Sequence, residues 1–261
     1  MLFGLRFSLD GLPSLQNTDS YFDKLMQPEG AKRRILGQVL LLVLFLLIYG
    51  FVMGAYHSFL QAVVAGAKLS LLFVLALLIC FPAFFIVQFI LGSRLKLFQM
   101  VSMVLSGFLL MSAIMISFVP IVVIFLLTGS NYYFLHLLHL AIMFFAGIFG
   151  MNTIVQALKY SCEKKGIYPK NGVVVFRVWV VILAFVGIQL AWSLRPFISK
   201  RGEPFEFFGE YEGNFYAAVI YAAKQLTEPE EKSPVPEALE RIESLFPPDT
   251  LRTTGGQIDS Q

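Results

Sequence analysis

Three histidines, His57, His136 and His139, are the side chains best suited to chemistry in the apolar part of this chain. Neutral imidazole ligates zinc, copper or haem iron. His136 and His139 stand three apart in Tyr132-Tyr-Phe-Leu-His-Leu-Leu-His139, so a helix projects them from nearly one face, and His57 follows another apolar run at similar depth. A haem, metal or pigment site is one reading of the three. The ordinary alternative is polar side chains near helix ends that reach water or bond between helices. The two cysteines, Cys80 and Cys162, supply neither a disulfide framework nor a metal-ligand spacing, and the sequence calls for no cofactor.

The acids are as informative as the bases. Between Glu29 and Glu203 the only carboxylate is Glu163. Proton and cation pathways through membranes usually carry buried Asp, Glu or His chains, and a chain with no acid in its apolar runs argues against that class. There is no glycine-rich phosphate loop, no His-Glu-x-x-His and no nucleophile elbow. Acid–base catalysis needs a positioned base within hydrogen-bond reach, so the chain is expected not to be an enzyme. The remaining polar set is mostly amide and hydroxyl. Asn152, Gln156 and Gln189 can line a path for a neutral or anionic solute; equally, with Thr153, Gln88, Ser102 and Ser106, they can bond between helices at about 0.6 kcal/mol each.

These residues sit on five apolar runs, at roughly 35–55, 69–91, 98–128, 133–158 and 173–193. A helix of about 20 apolar residues crosses a hydrocarbon core of roughly 30 Å. Hydrophobic residues make up 57% of the chain, charged residues 14%, and the mean hydropathy is +0.73, where soluble domains carry about 25% charged residues. The predicted fold is therefore all-α, a polytopic bundle of five transmembrane helices. The third run exceeds the bilayer thickness and must tilt, kink or project, with Pro120 the expected kink; Pro82 interrupts the second. Gly50-Phe-Val-Met-Gly54 has the spacing that lets helix backbones approach closely, and Gly147 and Gly150 extend the same expectation to the fourth run.

Lys and Arg flank the runs unevenly. Lys32, Arg33 and Arg34, then Arg94 and Lys96, then Lys159, Lys164, Lys165 and Lys170 fall on one side, which the positive-inside rule assigns to the cytoplasm. That places the N-terminus inside and the C-terminal tail outside, with Arg195, Lys200 and Arg201 running against the rule. Lys68 and Arg177 are expected to snorkel to headgroups. Residues 1–195 carry 14 Lys and Arg against 5 acids, and residues 196–261 carry 6 against 12. The basic part suits an anionic leaflet rather than nucleic acid.

Three regions follow: an arm over 1–34, the helical domain over 35–195, and an acidic, aromatic tail over 196–261. The first 34 residues lack a secretory signal, so the mature chain is expected to begin near Met1. In the arm, Tyr21, Phe22, Leu25 and Met26 recur at helical spacing, the pattern of a short helix lying in the membrane interface. In the tail, Pro204-Phe-Glu-Phe-Phe-Gly-Glu-Tyr-Glu212 is expected at the outer headgroup level, followed by helices over 215–226, capped by Asn214, and 236–246. Tyr21 and Phe22 in the arm, with Phe205, Phe207, Phe208, Tyr211 and Phe215 in the tail, are the candidate partner-binding residues.

Tyr21-Phe-Asp-Lys-Leu-Met-Gln-Pro28, Leu77-Leu-Ile-Cys-Phe-Pro82 and Leu91-Gly-Ser93 resemble, over about residues 20–195, the Yip family of five-span membrane proteins and their bacterial relatives. The resemblance implies membrane organisation, trafficking or protein association rather than catalysis, although the long acidic tail departs from the short Yip ending. Together these features predict a non-catalytic scaffold or accessory subunit of a bacterial inner membrane, in contact with lipid and with other membrane subunits. A permease or channel and a haem, metal or pigment-binding subunit are the alternatives.

Overall fold

The computed structural model of the chain describes residues 18–129, 131–164, 166–167, 170–198, 207 and 215–227, and all regular structure among them is helical. The helices are α1 (Thr18–Met26), α2 (Ala31–Gly54), α3 (Phe59–Ile90), α4 (Leu97–Ser117), α5 (Val119–Leu127), α6 (Tyr132–Glu163), α7 (Lys170–Leu194) and α8 (Phe215–Thr227). Five stretches are long and apolar enough to cross a membrane: α2, α3, α4 continued by α5, α6 and α7. The chain is thus a multi-pass, all-helical membrane protein, as its apolar runs predict.

Local chemistry explains where the helices begin and break. Ser58 caps α3 by accepting from the Gln61 N–H at 3.2 Å, and Asn131 caps α6 by accepting from the Tyr133 N–H at 2.9 Å. The third run breaks between Ser117 and Val119, where Pro120 has no N–H to offer the preceding turn. Pro82, by contrast, stays inside an uninterrupted α3.

The second span starts ten residues earlier than the predicted 69. Residues 56–68 form no long connection; α3 begins at Phe59, and Lys68 lies within it. Nothing between Ser58 and Lys68 breaks a helix, and a lone cation does not stop one.

Small residues set the closest helix approaches. An added Cβ on Gly50 would lie 2.7 Å from Gly66 Cα on α3, and one on Gly150 would lie 2.6 Å from the Gly107 carbonyl oxygen on α4. Backbones therefore touch at the α2–α3 and α4–α6 crossings. Gly147 is not part of this contact, since its nearest neighbour would be Met111 Cε at an ordinary 3.7 Å. α2 lies between α3 and α4, while α7 packs on α3 and α6. Phe84, Phe176 and Trp179 fill the α3–α7 interface, and the Trp179 indole donates to the Cys80 carbonyl at 2.9 Å. Large apolar side chains such as Leu40, Leu78, Phe144 and Val181 cover the outside, a surface suited to lipid.

In the arm, the apolar face of α1 is turned to the bundle: Tyr21, Phe22, Leu25 and Met26 are all buried, against α4 and α6. Its last carbonyls, which a helix leaves unpaired, are met by side chains. Arg34 Nη2 donates to the Leu25 and Gln27 oxygens at 3.0 and 2.9 Å, and Gln99 Nε2 donates to Met26 O at 2.6 Å. An apolar face with capped ends gains more from a packed interior than from the mixed headgroup layer. In the tail, α8 covers the predicted 215–226 and packs on α6 and α7. The predicted Asn214 cap and the helix over 236–246 lie outside the described residues.

Candidate functional site

Buried polar side chains gather most densely in two places, around Gln38 and Ser102 and around Gln61 and Lys68, and the three histidines do not meet one another. His139 Nδ1 lies 3.0 Å from the Tyr49 hydroxyl, with the two rings stacked at 5.4 Å. His136 tilts against Tyr132. His57 Nδ1 lies 3.0 Å from Ser58 Oγ at the start of α3. Among the described residues no group of three or more His, Cys, Asp or Glu side chains comes together in a way that could hold a metal ion. The geometry ties α6 to α2 through His139 and Tyr49, a link between helices.

At the end carrying Arg34, Arg94, Lys96 and Lys164, here termed the basic end, α1 plugs the bundle over a polar floor. Gln38 and Ser102 exchange bonds across α2 and α4: Gln38 Nε2 donates to the Ser102 carbonyl at 3.2 Å, and Ser102 Oγ lies 3.1 Å from Gln38 Oε1. Arg34 Nε adds a bond to Ser102 Oγ at 3.3 Å. The Tyr21 phenol lies over this floor; burial pushes it up to about 12, against the opposing pull of Ser106, Gln38 and Arg34. Tyr21 and Phe22, predicted to bind a partner, are therefore occupied by their own chain.

At the opposite end, Lys68 does not snorkel. It is 3% exposed, and its ammonium donates to the Pro196 carbonyl at 3.4 Å and to the Phe207 carbonyl, with the Phe207 ring 4.9 Å away. Gln61 Nε2 joins it on Pro196 O at 3.2 Å. Irregular backbone shut away from water needs partners for its carbonyls, and Lys68 and Gln61 supply them. Gln61 Oε1 itself is buried without a hydrogen-bond partner among the described residues. The sequence carried a signal for this site: Gln61 and Lys68 are seven residues apart, on one face of a largely apolar helix, and intramembrane cations usually have a task. Phe207 is half exposed beyond its contact with Lys68, and Phe215 is partly buried on α8. Phe205, Phe208 and Tyr211 lie outside the described residues.

The amides proposed to line a path face outward. Asn152 and Gln156 are exposed on α6 and Gln189 is exposed on α7, so the structure does not bring them together around an interior channel. Asn152 continues a ridge of Phe144 and Ile148, 71% and 53% exposed, at four-residue steps along α6. Toward the basic end the same helix presents Gln156, Lys159 and Glu163, which line an open groove of about 260 Å³ together with Asp19, Tyr160 and Lys164. Asp19 pairs with Lys164 across the groove, linking α1 to the end of α6. That hydrogen bond raises the Lys164 ammonium above its ordinary range.

The fold and its surface define a five-span helical membrane protein with polar side chains presented on its outer face. No protein-family model matches the chain, and neither the curated proteins nor the solved structures compared with it give a match.

Proposed function

We propose that this chain is a non-catalytic scaffold or accessory subunit of a larger assembly in a bacterial inner membrane, and that a second membrane protein packs against its α6 ridge. The outward Asn152 carries this reading. With a rise of about 1.5 Å per residue, Asn152 lies within about 7 Å of the middle of α6, well inside a hydrocarbon core of roughly 30 Å. An amide facing lipid there leaves polar groups unmet at a cost of several kcal/mol. A partner helix bearing a hydroxyl, amide or open carbonyl removes that cost by bonding to it. Phe144 and Ile148 supply the apolar ridge for the same helix. A solute path is the weaker reading, because Asn152, Gln156 and Gln189 point away from the bundle interior. The five-span layout and the Yip resemblance agree with a role in protein association, though Asn152 makes the case without them.

A photocrosslinking amino acid at Ile148, introduced in cells, tests this. The expected product is a discrete adduct with one other membrane polypeptide, absent when the probe sits at Val181 on α7, which is 69% exposed. Lipid adducts alone at both positions would remove the basis for the proposal.

A further inference from the structure

The groove at the basic end has a chemistry distinct from the Asn152 ridge and independent of any partner. Its α6 wall carries three kinds of side chain in order toward the helix end, Gln156, then Lys159 one turn on, then Glu163 a further turn on, their backbones rising by about 4.5 and about 6 Å. All three are exposed. Lys164 and Asp19 are engaged with each other, with Lys164 also 5.1 Å over the Tyr160 ring, so Lys159 and Glu163 are the charges left to meet a ligand. A purely anionic ligand would meet Glu163 as well as Lys159. A glycerophospholipid with an amine headgroup presents ester carbonyl, phosphate and ammonium in that order from the hydrocarbon outward, and each matches the wall at its own depth. The charged lining, Asp19, Lys159, Glu163 and Lys164, balances acids against bases, which suits a headgroup that carries both signs.

We propose that this groove seats a zwitterionic aminophospholipid, with its phosphate on Lys159, its ammonium on Glu163 and an ester carbonyl accepting from Gln156. Phe149 and Phe145, exposed about one and two turns deeper than Asn152 and with rings 4.8 Å apart, flank the course of an acyl chain.

Native mass spectrometry of the purified full chain with phosphatidylethanolamine, phosphatidylcholine and phosphatidylglycerol of matched acyl chains, at equal concentrations, reads the selectivity. Phosphatidylethanolamine is expected to be retained about fivefold over the other two, the effect of roughly one hydrogen-bonded charge contact. Glu163→Gln is expected to lower it to the phosphatidylcholine level, since the quaternary amine of choline cannot donate to the carboxylate. Lys159→Gln is expected to weaken both zwitterionic lipids alike. Both side chains are exposed, and unchanged melting of each variant establishes that the fold is retained. Retention of phosphatidylglycerol equal to or above phosphatidylethanolamine would overturn the assignment, as would a preference that survives Glu163→Gln. Displacement by soluble glycerophosphoethanolamine at equal concentration would overturn the lipid source in favour of a free headgroup compound.

Discussion

Gly150→Ala tests the helix crossing on which the bundle depends. A methyl group there would lie 2.6 Å from the Gly107 carbonyl oxygen and 3.0 Å from Met111 Cβ. The first contact is backbone to backbone, so no side-chain rotation relieves it. To reach an ordinary 3.4 Å contact, α4 and α6 must separate by about 0.8 Å, and a radial gap of that size forfeits about a quarter to a half of the dispersion at the neighbouring contacts. Overpacking of this kind costs about 1–3 kcal/mol. Alanine returns about 1 kcal/mol in helix propensity, which leaves a net loss of about 0–2 kcal/mol, and a gap of about 1–3 kcal/mol to a variant that gains the propensity without the clash. Gly147→Ala, whose methyl would meet only Met111 Cε at 3.7 Å, carries the propensity gain without the clash and should be neutral to slightly stabilising. Reversible unfolding in mixed detergent micelles, followed by Trp fluorescence, compares the two. Equal stability of the Gly150 and Gly147 variants would refute the close crossing and the packing derived from it.

Lys68→Met should free the strap formed by residues 195–198 and 207, because the Pro196 and Phe207 carbonyls lose a cationic donor. Such a loss costs about 1–3 kcal/mol, so a thiol placed at Ile198, which is 3% exposed, should label roughly 5- to 150-fold faster; an unchanged rate would contradict the strap. Docking of α1 should weaken at high pH. The folded Tyr21 phenol titrates near 12 and the unfolded one near 10, so the stabilisation is whole below pH 10 and is lost between about 10 and 12, amounting to about 2–3 kcal/mol. The mobility of a spin label on Ser20, measured in a Lys164→Gln background, should rise over that window, and Tyr21→Phe should abolish the dependence.

Much of the architecture was legible because an apolar run long enough to span a bilayer has few other fates. The Pro120 break and the Gly50 contact were legible for a similar reason, since each rests on local backbone chemistry. The start of α3 was missed because Lys68 reads as a boundary when the carbonyls of Pro196 and Phe207 that receive it are far along the chain. α1 was recognised as amphipathic, but periodicity specifies a face and not what covers it; the bundle interior met Tyr21 and Phe22 before a membrane surface or a partner could. The direction of Asn152, Gln156 and Gln189 was beyond the sequence for a further reason. Helices apolar on every side have no polar stripe to mark outward from inward, so packing against α1, α4, α7 and α8 sets which way α6 turns its amides. The α1–α6 groove escaped notice because it joins Asp19 to Lys164, groups that neither run predicts as neighbours.

The central claim is that Asn152 on the outside of α6 meets another membrane protein. The most direct measurement is the native mass of the full chain extracted in mild detergent at native expression, for the parent and for Asn152→Leu. The expected result is an assembly heavier than the 29.3 kDa chain that contains a second membrane polypeptide, reduced at least about tenfold in the variant while the variant's own melting is unchanged. A parent that runs as this chain alone, or an assembly indifferent to Asn152→Leu, would contradict it.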